Sequence, residues 1–200
     1  MEASALPVVF WPGEAIDPCI SVFVLALRLD PQLPRPQARA RLRNALREAL
    51  AMRLKIPLCT IGINSVPGQP PRLEGPGLRD SMGLSFSHEV GLSLAAVNLQ
   101  GPIGIDVVRD ETPPDWAAVA RDYLGLQVHT SLLAKNGAGF AQAWADHEAR
   151  LKLKGLALAE CSDEAERALA LAACLCQPLA LPAGWVASLA LPLNADHGSA

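Results

Sequence analysis

The sequence predicts an α+β fold of two similar α/β lobes, related by a pseudo-twofold, with a ligand cleft between them. Three observations lead there. Each half reads as a strand-helix-hairpin order. The runs Gly91-Leu-Ser-Leu-Ala-Ala-Val97 and Gly184-Trp-Val-Ala-Ser-Leu-Ala-Leu191 both start from glycine and alternate small with large apolar residues, a weak internal repeat. With 200 residues, 50% of them hydrophobic and 18% charged, the chain suffices for one domain or two small lobes sharing a core. The lobes are expected at residues 1–102 and 103–200.

In chain order, Cys19 to Leu29 is rich in β-branched and apolar residues and stops at Asp30-Pro31, as a buried strand would. A proline-rich connector runs to Pro36. From Gln37 to Lys55, Leu42, Ala45, Leu46, Ala49, Leu50 and Leu54 keep the spacing of one helix face. The segment Pro67–Gly77, dense in proline and glycine, predicts a loop. Gly91–Val97 and Ile103–Val108, separated by Asn98-Leu-Gln-Gly-Pro102, predict a β-hairpin. Helices are expected over Trp116–Tyr123 and Phe140–Lys154, the second stopped by Gly155. Asp163 with Glu166 resembles a capping box opening a helix to about Cys176, and Gly184–Leu191 predicts a last strand.

Composition excludes several function classes. Aromatic residues make up 4%, too few for a base-stacking platform, so no nucleic-acid partner is expected. The net charge of −3 argues against a general polyanion binder, but the halves differ. Residues 1–102 carry ten Lys/Arg against eight Asp/Glu, and residues 103–200 seven against twelve. An anionic ligand between a basic and an acidic half is consistent with that imbalance. The five cysteines, Cys19, Cys59, Cys161, Cys174 and Cys176, form neither a CxxC pair nor an even disulfide set, so a reducing cytoplasm is expected. Ala168 to Ala195 carries no charge, yet Pro178, Pro182, Gly184 and Pro192 divide it into pieces too short to span a bilayer as one helix.

Four groups of residues could carry chemistry. Asp106 lies inside Ile103-Gly-Ile-Asp-Val-Val108, where an ionised carboxylate needs a metal ion, an arginine or a hydrogen-bonded strand end to offset its desolvation. Trp144, Glu148 and Lys152 are four apart and share a helix face, either as a surface Glu–Lys pair or as a metal and phosphate site. Ser85-Phe-Ser-His88 reads as a turn or cap, and adjacency alone does not make its serine and histidine a nucleophile–base pair. Arg39, Arg43 and Arg47 border the apolar face of their helix, as solvated charges or as a phosphate-facing edge.

In order and spacing, Gly83-Leu-Ser-Phe-Ser-His88, then Gly104-Ile-Asp106, then Trp144-Ala-Asp-His-Glu148-Ala149-Arg-Leu-Lys152-Leu-Lys-Gly155 resemble the motifs of the 4′-phosphopantetheinyl transferases, the larger pseudo-dimeric type of secondary metabolism. The resemblance covers roughly residues 37–156. It implies Mg²⁺-dependent transfer of the phosphopantetheine arm of coenzyme A to a serine of an acyl or peptidyl carrier protein, releasing 3′,5′-ADP. It also implies metal ligation by Asp106 and Glu148, with Glu148 helping to deprotonate the serine. Lys152 would contact the coenzyme A phosphates, Ser87 and His88 would hold the 3′-phosphate, and Arg43 would face the nucleotide. With two lobes in one chain to form the cleft, a monomer is expected.

The chain departs from the family pattern at three places. Val108 stands where Gly-Ile-Asp-x-Glu has a second carboxylate, a gap that water or Asp110 would have to fill. His147 replaces a lysine, and Gln69 stands in Gly68-Gln69-Pro70 where Gly-Lys-Pro is frequent. These changes imply weaker coenzyme A binding or slower turnover. The alternative is a transferase fold that binds coenzyme A or a carrier protein without catalysis, and a chance resemblance in an unrelated α+β interaction module is a third reading.

Overall fold

The computed structural model describes residues 6, 8–13, 16–17, 19–66, 68–160 and 173–193. In chain order these form β1 (Val9–Phe10), β2 (Val22–Arg28), α1 (Arg35–Leu54), β3 (Gly62–Asn64), β4 (Arg72–Glu74), β5 (Gly83–Glu89), β6 (Leu92–Asn98) and β7 (Gly104–Arg109). There follow α2 (Trp116–Val119), continued by a π-helical turn over Ala120–Leu124, then α3 (Leu126–Leu133), α4 (Phe140–Lys154), β8 (Cys174–Pro178) and β9 (Trp185–Pro192). The fold is α+β, as the sequence predicts.

Two main sheets carry it. The first has the order β1-β2-β6-β5 and the second β7-β9-β8, antiparallel except for the β1–β2 pair. Side chains alternate between faces along each strand. On the first sheet Phe23, Leu25, Leu84, Ala95 and Val97 face α1, whose Leu42, Ala45, Leu46, Ala49 and Leu50 fill that core. The opposite face presents Val24, Ala26, Leu94 and Ala96 to Ile105, Val107, Ala187 and Leu189 of the second sheet. Helix α4 covers the far side of the second sheet, where Ala149 and Leu153 pack on Ala190. The layers therefore run helix, sheet, sheet, helix. Gly104 is what lets α4 lie so close, since a Cβ there would collide with the Ala149 carbonyl and the Leu153 amide.

The sheets are also joined along their margins. Ile105 N–H donates to Ser85 Oγ and Val107 N–H to Ser87 Oγ, both at 3.2 Å, so two serine hydroxyls link β5 to β7 where no backbone ladder forms. On the other side Leu6, just before β1, bridges to Leu179 just after β8, with Leu6 N–H donating to the Pro178 carbonyl and Ala180 N–H to that of Leu6.

Several expectations are corrected. The apolar runs flanking Asn98–Pro102 do not pair with each other. β6 pairs with β2 and β5, and β7 with β9, so the hairpin is β5–β6, turning at Val90-Gly91, where Gly91 takes φ 84°. Ser85-Phe-Ser-His88 is thus strand, not a turn. Within the expected loop Pro67–Gly77, Arg72–Glu74 forms a short ribbon with β3. The helix expected to reach Cys176 cannot do so, because Cys174–Pro178 pairs with β9 as strand. Its capping box lies outside the described residues. Helix α3 is an element the periodicity does not announce.

Candidate functional site

Helix α1 runs beside the edge strand β5 and presents Arg35, Arg39 and Arg43 to a cleft of about 710 Å³. The helix begins where Pro36 fits its first turn without losing a needed N–H, and it ends with Lys55 in the left-handed region at φ 55°. Arg43 Nη2 donates to Ser65 Oγ at 2.8 Å, and its guanidinium lies 5.5 Å from the centre of the Phe86 ring. Arg47, the third arginine of the expected edge, is instead structural. Its Nε donates to the Ile61 carbonyl at 2.8 Å and its Nη2 to that of Leu58 at 3.2 Å. Arg35 takes its place in the cleft. Sequence reading missed it because it falls in the proline-rich connector, although it continues the four-residue spacing of Arg39 and Arg43.

β5 divides its side chains between two environments. His88, with Phe86, faces the α1 side and lines the cleft, and its Nδ1 lies 2.9 Å from Ser93 Oγ. Burial and then the positive charges of Arg39, Arg35, Lys152 and Arg43 lower its pKa from 6.5 to about 4. It is neutral at physiological pH. Ser87, buried, points the other way. Its hydroxyl donates to Asp106 Oδ1 at 2.7 Å while accepting from Val107 N–H, which ties it to the carboxylate.

Asp106 is 6% exposed, on the face of β7 that carries Gly104. The positive group its burial demands is Lys152, whose Nζ donates to Oδ1 at 2.7 Å. The same ammonium reaches the Ile105 carbonyl at 3.0 Å, Ser87 Oγ at 3.3 Å and the Phe86 carbonyl at 3.4 Å. Lys152 and Glu148 descend from α4, which begins after Gly139 at φ 88° and ends at Gly155 in the left-handed region. Glu148 lines the same cleft as Asp106, and its pKa is raised first by burial and then by the Asp106 charge, with Lys152 opposing. Its carboxylate is therefore a better proton acceptor than an exposed one.

The cleft thus gathers the residues to which the resemblance gives a role, Arg43, Ser87, His88, Asp106, Glu148 and Lys152, with Arg39 and Trp144 beside them, but neither Arg47 nor Asp110. Val108 and Gln69 line it too, at two of the three departures from the family pattern. His147, the third, is buried with its ring 6.2 Å from that of Trp144, and it does not line the cleft. Asp110 lies exposed beyond the end of β7 and is not part of the lining.

The donor set bears on a metal. Among the described residues no group of three or more His, Cys, Asp or Glu side chains converges as a metal site. Two carboxylates do share the cleft, close enough that Asp106 raises the pKa of Glu148. Two carboxylates completed by substrate phosphates and water are a set Mg²⁺ accepts. The residues fit that ion as one held jointly with a phosphate ligand. Neither family models nor curated proteins give a match to the chain.

Proposed function

We propose that the protein is a Mg²⁺-dependent 4′-phosphopantetheinyl transferase acting on coenzyme A and an acyl or peptidyl carrier protein. The carrying observation is that residues from α1, β5, β7 and α4, spread over more than a hundred positions, line one cleft that holds the α1 arginines together with Asp106, Glu148 and Lys152. Arg35, Arg39, Arg43 and neutral His88 suit the phosphate-rich nucleotide end of coenzyme A, and His88 would take up a proton as that end docks. Asp106 and Glu148 would hold the ion, which when bound neutralises the diphosphate. Glu148 accepts the proton of the carrier serine as its oxygen attacks the β-phosphorus. The phosphorus–oxygen bond to the nucleotide breaks, and Lys152 stabilises the charge of the departing 3′,5′-ADP. This reading includes two lobes, 1–102 and 103–200, related by a pseudo-twofold, each a sheet with one long helix, meeting at the cleft in a cytoplasmic monomer.

The second reading, a transferase fold that binds without transferring, is favoured by Val108 lining the cleft where a third carboxylate would lie. One experiment separates them. The protein is incubated with coenzyme A, Mg²⁺ and a panel of apo-carrier proteins, and the carriers are weighed. A gain of one phosphopantetheine arm is expected, faster with Val108→Glu. Coenzyme A binding with no mass gain in either protein would select the second reading.

A further inference from the structure

Lys152 makes more contacts than an ion pair needs. An ammonium has three protons to donate, and around this one stand four oxygens: Asp106 Oδ1, the Ile105 carbonyl, Ser87 Oγ and the Phe86 carbonyl, between 2.7 and 3.4 Å. They come from the facing edges of β5 and β7, where serine hydroxyls replace a backbone ladder and leave these carbonyls turned to the ammonium. A carboxylate, two carbonyls and a hydroxyl form an all-oxygen set of the kind hard cations take. Asp106 Oδ1 is thus committed to an internal cation.

We propose that Lys152 is a resident counter-ion that must leave Asp106 before a divalent cation can bind there. The identity of the incoming cation rests on the transferase reading; the occupancy by Lys152 does not. The lysine side chain is 31% exposed against 9% for that of Asp106, so its flexible stem can swing into the cleft while the carboxylate stays in place. In the cleft the released ammonium meets the phosphates of the ligand. The exchange moves Lys152 from a structural to a ligand-binding position, and it makes a divalent cation bind poorly without a phosphate ligand to receive the lysine.

The test measures Mn²⁺ binding to the ligand-free full chain by electron paramagnetic resonance, for the wild type and for Lys152→Met. Removing one partner of a buried pair leaves an uncompensated charge, so the variant should bind Mn²⁺ more tightly by about tenfold or more. Equal affinity in a folded variant would overturn the proposal. Should Lys152→Met not fold, the wild type labelled with ¹⁵N-lysine decides. A slowly exchanging Lys152 ammonium resonance is expected in the free protein, to be lost when Mg²⁺ and inorganic diphosphate are added together. Its persistence at saturation with both would overturn the proposal. Both readouts are independent of arm transfer, so a failed carrier assay and a failed exchange can be told apart.

Discussion

Glu148 is the residue on which the proposed chemistry turns, because its carboxylate lines the cleft and its pKa is raised by burial and by the Asp106 charge. Glu148→Gln keeps the volume and removes the base. It should lower kcat for arm transfer by about a hundredfold or more while the protein still binds 3′,5′-ADP, as calorimetry would show. Lost nucleotide binding in a folded variant would place Glu148 in ground-state recognition instead. His88 gives a prediction about pH. Folded His88 gains its proton near pH 4 and the unfolded one near 6.5, so as pH falls through that window the unfolded chain binds more protons and stability drops. Glu148 acts with the opposite sign, since a raised carboxyl pKa contributes stability at low pH that is lost as pH rises. Comparing wild type with His88→Gln isolates the histidine. The urea midpoint of the variant should fall less between pH 6.5 and 4, and an unchanged slope would refute the burial and charge argument.

At the scale of elements, α1 has two kinds of arginine. Arg39 lines the cleft, whereas Arg47 holds the carbonyls that follow the helix. Arg39→Ala should weaken 3′,5′-ADP binding, most visibly at low salt, with little change in melting temperature. Arg47→Ala should lower stability by about 1–3 kcal/mol, as for hydrogen bonds made by a charged group, and leave nucleotide affinity near that of wild type. The reverse result would mean the division of labour is wrong. This division was half legible in the sequence. The four-residue spacing marked a basic edge, but not which members turn toward the cleft, because that depends on where β3 and the turn after α1 sit. The long helices and the strands at 22–28 and 185–192 were readable, since each buries a face wide enough to set a period. β5 was hidden for the opposite reason. Its alternate positions hold Ser85 and Ser87, hydroxyls that mimic a turn in sequence but are buried as acceptors for β7. That β6 and β7 belong to different sheets was illegible as well, since both are apolar and a Gly-Pro linker ends one sheet as readily as it turns a hairpin. The candidate site was legible as a set of residues but not as contacts. That Lys152 is the positive partner of Asp106 required the fold to bring positions 46 apart together.

For the whole molecule, the core between the sheets is common property. Leu94 from the first sheet and Ile105 and Leu189 from the second are fully buried in one apolar cluster. Neither half can open without exposing the other's inner face. Leu94→Ala should cost about 2–5 kcal/mol, and urea unfolding of wild type followed by far-UV dichroism and by tryptophan fluorescence should give coincident transitions. Two separated transitions would show lobes that unfold one at a time. The joined margins described above have a consequence of another kind. A strand with bare amides and carbonyls along one side invites a foreign chain to add to it, which is how many β proteins begin to aggregate. Here Ser85 and Ser87 occupy that position along β5 and β7, and the Leu6 bridge blocks the end of β8, where Pro178 has no amide to offer. Among the described residues the outer sides of Cys174–Gln177, of Val9–Phe10 and of the β3–β4 ribbon carry no such block, and these short stretches are the ones to guard when the protein is concentrated.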